Sequence, residues 1–439
     1  MIRKRKCLYY FIIGWFCFAI YLFCLDYKDS VVLKFYLPLI IFDIEVINEI
    51  SRNIGLEVFI IDGQLLQFLH YQNQSLKFET PIILGIDSKF LDKLQSLLTS
   101  EILKMNNVKA ELFYNEKPLM NNFGFKLDLP SALLLQRNYV YIIYILYPRE
   151  DNTWWYGNLA SDRECSVKLE KFNSIRLHCD SSLFHESLLN KFEFTVFDHY
   201  QTVLSHILIP KDEINFIAQS KSAKFIECNY SRAEIFKKKY AEKPTSGALR
   251  FKHKAWKLLS KTKTILDLLS VPFWISSGTC LGFFRECDII PYSKDVDIGI
   301  NAQDYDERII LHMEAHGLIL KHWFGQPNDS LELSFIDNRG VKLDIFFFYE
   351  ENNHIWNGGT QLRTGKKFKY IFPKFNLCWT FFCGLKLRIP CEIESYIVAN
   401  YGNNWFIPIY EWDWKSSPSN VVPNGFWPSS VHKNHLLKV

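Results

Sequence analysis

The chain has 439 residues, 16% aromatic and 22% charged, the proportions of a globular protein with room for two or three domains and not of a disordered or fibrous one. Its formal net charge is +4, but Arg3, Lys4, Arg5 and Lys6 account for all of it, and the remaining 47 basic residues balance 47 acidic ones. The body therefore lacks the electrostatic footprint of a nucleic-acid binder, and no nucleic-acid partner is expected.

The four basic residues precede CLYYFIIGWFCFAIYLFCL, Cys7 to Leu25, a run of nineteen residues without a charge. As a helix it would span about 28 Å, close to the hydrocarbon thickness of a bilayer. The basic flank predicts a cytosolic tail over residues 1–6 and a body on the far side of the membrane. The following LFCLDYKDS offers no small-residue cleavage site, which favours an uncleaved type II signal anchor over a cleaved signal. Cys7, Cys17 and Cys24 belong to that anchor. Eight further cysteines (Cys165, Cys179, Cys228, Cys280, Cys287, Cys378, Cys383 and Cys391) are an even number that can pair in an oxidising lumen, with no connectivity readable. A zinc site at Cys378, Cys383 and Cys391 is the competing use, although their spacing is not that of a standard knuckle. Asn73, Asn229 and Asn328 head glycosylation acceptor patterns, meaningful for a luminal glycoprotein.

Residues 26–243 read as a mixed α/β region. LEVFIID (Leu56 to Asp62), TPIILGI (Thr80 to Ile86) and YVYIIYIL (Tyr139 to Leu146) have the composition of buried strands, and Ser88 to Leu103 has helical spacing with Ser88 as its expected N-cap. The cluster AEKPTSG (Ala241 to Gly247) predicts a boundary. A long amphipathic helix follows, its lysines on one side and Leu, Trp and Ile on the other. From residue 244 the chain reads as one α+β domain.

Within that domain, Pro272 to Ile275 predicts a short strand running into Ser276-Ser277-Gly278-Thr279 and a helix starting at about Thr279. Unpaired N–H groups at such a helix start, with Gly278 admitting close approach, suit an anion. In DVDIGI, Asp295 and Asp297 are two residues apart on a strand, so they share a face about 6.6 Å apart. Two such charges repel by roughly 2.5 kcal/mol at an effective dielectric of about 20, a penalty that an intervening cation reverses. Val296, Ile298 and Ile300 occupy the opposite, core face. LELSFIDNRGVKLDIFFFYE (Leu331 to Glu350) reads as a hairpin turning at Asp337-Asn338-Arg339-Gly340, with Lys342 and Asp344 on one face of its second strand. If that strand lies beside the first, three carboxylates converge, a hard-oxygen set suited to Mg²⁺ or Mn²⁺ and to phosphoryl transfer. Arg285, and Arg363, Lys366 and Lys367 in the glycine-rich stretch His354 to Tyr370, are further candidates for binding a diphosphate.

The ordered set SGTCLGFFRECDIIPYSKDVDIGI, DSLELSF, VKLDIFFFYEE, WNGGTQ, GKKFKYIFPKF, ANYGNNW and WDWKSSP resembles the LicD-type transferases of the nucleotidyltransferase fold, and within them the ribitol-5-phosphate transferase branch. The resemblance runs densely from about Val271 to Pro428. It implies transfer of ribitol 5-phosphate from CDP-ribitol to a GalNAc on the phosphorylated O-mannosyl glycan of α-dystroglycan. It further implies a protein of the Golgi membrane working beside related glycan-modifying transferases. By the same resemblance Asp295, Asp297 and Asp344 hold the metal and carry the catalysis, and Ser277, Gly278, Thr279, Arg285, Arg363, Lys366 and Lys367 bind the donor. One departure stands out: the family's Pro-Trp-Asp-Asp-Asp run ahead of the pair is replaced here by Tyr292, Ser293 and Lys294, a loss shared by the branch that leaves fewer ligands. A Golgi glycosyltransferase with an Asp-x-Asp metal site and a non-catalytic luminal scaffold are the alternative readings.

Overall fold

The computed structural model describes residues 40, 42–71, 82–114, 130–149, 152–157, 186–196, 208–240 and 245–428, with a few isolated positions and two-residue strands besides. The expected anchor at 7–25, the Asn73 acceptor site, Cys165 and Cys179 lie outside the described residues. Among those described, no helix is long and apolar enough to cross a membrane.

The chain divides between Lys224 and Phe225 into two units. Residues 225–240 belong with the second, ahead of the boundary expected at 243, because Cys228 is bonded to Cys287 and the Arg232 guanidinium lies 3.7 Å from the Phe284 ring centroid.

The first unit is built on a mixed sheet ordered Phe194–Val196, Leu208–Pro210, Phe59–Ile60, Ile82–Asp87, Val140–Arg149, Pro130–Gln136 and Lys109–Tyr114. Ile82–Asp87 and Val140–Arg149 pair in parallel at its centre. Both are apolar on both faces and almost wholly buried, as a central parallel pair should be. The helix expected over 88–103 is broken. A 3₁₀ turn Ser88–Phe90 leads into Leu91–Thr99, Ser100 is extended, and Glu101–Met105 resumes. The Ser100 hydroxyl donates to the Leu97 carbonyl at 2.7 Å, a local bond that competes with the helical ladder. The cap is Asp87 and not Ser88: its carboxylate accepts from the Lys89 N–H at 2.9 Å.

The second unit opens with helices α1 (Tyr230–Tyr240) and α2 (Ser246–Leu268), the latter capped by Thr245, whose hydroxyl accepts from the Ala248 N–H. Strand β1 (Trp274–Ile275), helix α3 (Ser277–Glu286), strand β2 (Asp295–Asn301) and helix α4 (Arg308–Ala315) follow. Then come β3 (Leu318–Gln326), β4 (Asp329–Asp337), β5 (Lys342–Glu351), β6 (His354–Gln361) and β7 (Lys366–Pro373), a separate hairpin β8 (Leu377–Phe382) and β9 (Leu385–Pro390), helix α5 (Ile393–Tyr401) and β10 (Val421–Phe426). The sheet runs β10-β7-β6-β5-β4-β3, with β2 parallel to β5 and β1 antiparallel to β2. The turn between β4 and β5 falls where the sequence predicts it: the Asp337 carboxylate accepts from the Arg339 and Val341 N–H groups, and Gly340 takes φ +79°. Cys378 is disulfide-bonded to Cys391 across the ends of the β8–β9 hairpin, and Cys383 is free and exposed. Two of the three sulfurs of the zinc alternative are thus spent on each other.

β2 and β5 each present one apolar and one functional face. Val296, Ile298, Ile300, Leu343, Ile345 and Phe347 are all buried in a single core with Leu258, Leu259, Ile309 and Met313 from α2 and α4. On the other face, Gly299 is glycine because Trp274 of β1 lies flat against it. A Cβ there would come within 2.4 Å of the indole, and Trp274 is itself fully buried. Gly299→Ala is expected to destabilise the protein by about 1–3 kcal/mol through overpacking. Denaturant unfolding monitored by tryptophan fluorescence measures this, and an unchanged midpoint would mean the indole is free to shift.

Candidate active site

The parallel pairing of β2 with β5 sets Asp295 opposite Lys342 and Asp297 opposite Asp344. Carboxylate oxygens of Asp295, Asp297 and Asp344 lie within 4.8 Å of one another, so this cluster could hold a metal ion. Helix α3 points its N-terminus at them. The Gly278 N–H donates to Asp297 Oδ2 at 3.0 Å, and the Asp297 N–H donates to Thr279 Oγ1 at 2.9 Å. A Cβ on Gly278 would stand 3.3 Å from that carboxylate, so glycine keeps the approach close. The helix start that the sequence assigns to a donor phosphate thus holds one of the protein's own carboxylates. Ser277 adopts φ +40°, a left-handed conformation uncommon for serine, at the edge of the cleft.

Burial raises the Asp297 carboxyl well above its ordinary range, and Asp295 and Asp344 raise it further. Asp344 is raised too: burial outweighs the help it takes from Lys342 and from the Ser334 hydroxyl, which donates to it at 2.5 Å. Lys342 Nζ stands 2.6 Å from Asp344 and 3.7 Å from Asp295. Burial works against its charge, but Asp344, Asp295 and Asp297 more than offset that and hold its ammonium above the usual lysine range. Glu332 of β4 adds a fourth carboxyl on the same floor, pushed up to about 8 by burial and then by Asp344. Lys294 and Arg285 line the same cleft, but among the described residues only Lys342 pairs with these four carboxyls, and a hard divalent cation is the kind of charge that fits them.

These residues line a cleft of about 680 Å³. Its far wall is aromatic: Tyr401, Trp405, Tyr410, Trp412 and Trp414 come from α5 and the loop after it. Ser277, Gly278 and Arg285 also line it. The Arg285 guanidinium is nearly fully buried and engaged by the protein: it bonds Glu286 at 2.5 Å, the Tyr292 hydroxyl at 2.9 Å and the Trp405 carbonyl at 3.4 Å, and braces the wall. Arg363, Lys366 and Lys367 are not among the lining residues. Arg363 is exposed in the β6–β7 turn, Lys366 lies over Phe368, and Lys367 pairs with Asp329 beneath the Trp427 ring. Lys366 and Lys367 are neighbours on β7, so their side chains leave opposite faces, and each is taken up by a partner outside the carboxylate cluster.

Sequence reasoning missed Glu332, Ser334 and the placement of Lys342 among the aspartates. The signal was available in LELSF: Glu332 and Ser334 alternate on one face, and the register sets them opposite Phe346 and Asp344. Only the hairpin register turns that alternation into a place.

Two family models match the chain: "LicD/FKTN/FKRP, nucleotidyltransferase domain" over residues 270–392 and "Fukutin N-terminal" over residues 121–256. Over these two stretches the chain matches the LicD/fukutin family. It is 47% identical over 307 residues to the ribitol-5-phosphate transferase FKTN of Mus musculus and 45% identical over 307 residues to that of Homo sapiens, in each case over 70% of this chain and 65% of the relative. The match thus spans just under two thirds of these relatives' length. Among solved structures, the lincosamide adenylyltransferase LnuA is similar at 16% identity over 35% of this chain and 85% of that one, with a TM-score of 0.22, too low to inform the fold. The family match covers the whole carboxylate cluster, from α3 through β5.

The raised Glu332 carboxyl has a stability signature. Its folded pKa of about 8 exceeds the ordinary 4.5, so its contribution is fully present below about 4.5 and is lost as pH rises toward 8. In EDTA, the thermal midpoint of the wild type relative to Glu332→Gln is expected to fall between about pH 5 and pH 8.5. Differential scanning fluorimetry across that range tests it, and a pH-independent difference would mean that Glu332 ionises freely.

Proposed function

We propose that this protein transfers ribitol 5-phosphate from CDP-ribitol to a GalNAc of the phosphorylated O-mannosyl glycan of α-dystroglycan, releasing CMP. The observation that carries the reading is the register of β2 on β5, which brings Asp295, Asp297 and Asp344 together inside the region matched by the LicD nucleotidyltransferase model. The kinship with ribitol-5-phosphate transferases supports the donor and acceptor. The anchor expected at Cys7 to Leu25 supports a type II protein of the Golgi membrane with its body in the lumen, where related transferases would be its neighbours. Protection of the body from protease in sealed Golgi vesicles tests that topology.

Asp295, Asp297 and Asp344 would hold Mg²⁺ or Mn²⁺, which when bound neutralises charge on the donor diphosphate and on the departing CMP. Gly278 and Thr279 keep Asp297 aimed at the cluster, and Ser334 and Lys342 do the same for Asp344. The acceptor hydroxyl oxygen bonds to the ribitol-bearing phosphorus as the bond from that phosphorus to the CMP oxygen breaks. The hydroxyl proton passes to the Asp344 carboxylate. The aromatic wall shields the reacting atoms from water.

The deciding experiment is CMP release by the purified protein with CDP-ribitol, CDP-choline or CDP-glycerol and the phosphorylated glycan acceptor. Release is expected from CDP-ribitol, abolished by EDTA and lowered about a hundredfold or more by Asp297→Asn. Wild-type turnover by Asp297→Asn would overturn the metal assignment, and no release from any CDP donor would overturn the transferase reading.

A further inference from the structure

Asn357 lies on β6 in the stretch WNGGTQ. It lines the cleft, is 5% exposed, and its Oδ1 has no hydrogen-bond partner among the described residues. A buried carboxamide oxygen without a donor is rare, because its desolvation goes uncompensated. The register sets Asn357 beside Phe348 and Tyr370, and Phe348 lies four residues beyond Asp344 on β5. Four residues of strand place Asn357 about 13 Å along the floor from Asp344, and about half that from Glu332. Around it, Phe346, Tyr370 and Trp414 line the cleft, and glycine at 359 lets the last two pack close: a Cβ there would come within 3.0 Å of the Tyr370 hydroxyl and 3.2 Å of the Trp414 ring. The result is an aromatic stretch of the cleft, a surface on which a planar group can stack, beside a lone hydrogen-bond acceptor.

The geometry points to Asn357 as the residue that reads the donor's base, its Oδ1 accepting from the exocyclic amino group of cytosine. This rests on the CDP-donor reading above. The span is that of a nucleoside, which extends by a ribose and a base beyond its phosphate. The acetamido group of an acceptor hexosamine also carries an N–H, but it sits on the same sugar ring as the attacking hydroxyl and so stays near the carboxylates. Uracil presents a carbonyl oxygen where cytosine presents the amino group. It would leave Oδ1 facing a second acceptor, and sites built on such a bond reject the mismatched ligand strongly.

The test is calorimetric binding of CDP and UDP to the full-length protein in detergent with Mn²⁺, for wild type, Asn357→Ala and the near-isosteric Asn357→Leu. The wild type is expected to favour CDP by about tenfold or more, and both variants to bind the two nucleotides within about threefold of each other. Because Asn357→Leu removes an unsatisfied buried amide, its nucleotide-free thermal midpoint should equal or exceed that of the wild type, which a purely structural asparagine would not allow. A CDP preference retained by the variants, a wild type without preference, or a variant that raises only the KM for the acceptor would each overturn the assignment. Failure of the donor reading shows itself separately, as a wild type that releases no CMP from CDP-ribitol, and the base assignment then falls with it. If CMP release is normal and Asn357→Leu still prefers CDP, the base assignment falls alone.

Discussion

Two parallel strands of the second unit hold like charges side by side. Asp297 and Asp344 occupy opposed positions on β2 and β5, both nearly fully buried, with Asp295 one step away. Burial and mutual repulsion both favour neutral carboxyls there, and much of the surrounding structure answers that constraint. The first N–H groups of α3 are turned on Asp297, glycine at 278 lets them approach, and Thr279 fixes the backbone beneath. Ser334 and Lys342 perform the same service for Asp344. On the reverse of the same strands an unbroken layer of Val, Ile, Leu and Phe keeps the backbone from relaxing away from the strain.

The Asp-x-Asp strand and the later aspartate were legible because strand alternation is a local rule: two residues apart means one face. The hairpin turn was legible for the same reason, since Asp337 and Gly340 carry the turn chemistry within four residues. The convergence of the two segments needed the parallel register, which no short window of sequence contains, and it entered only as a condition. Glu332 and Asn357 could not be placed for that reason. The meaning of each depends on what a neighbouring strand sets beside it.

Positive charge was the least reliable guide. Arg285 sits in the right helix, but its guanidinium turns to Glu286 and Tyr292 and props up the aromatic wall. Arg363, Lys366 and Lys367 surround the right glycines, yet Arg363 is exposed in the turn, Lys366 lies over Phe368 and Lys367 pairs with Asp329. A long cationic side chain finds the nearest carboxylate, and its sequence position says little about which one. In the first unit, the break at Ser100 came from a serine hydroxyl bonding back to its own turn, an effect that helical periodicity does not register.

Lys342 gives the cleft an internal stand-in for its cation. With its ammonium 2.6 Å from Asp344 and 3.7 Å from Asp295, the carboxylates have a counter-charge of their own from the moment the sheet closes. The sheet can therefore close over these carboxylates without an added ion. The ammonium sits on a flexible four-carbon stem with a half-exposed side chain, so it can swing aside without moving the backbone, on a floor that is already built.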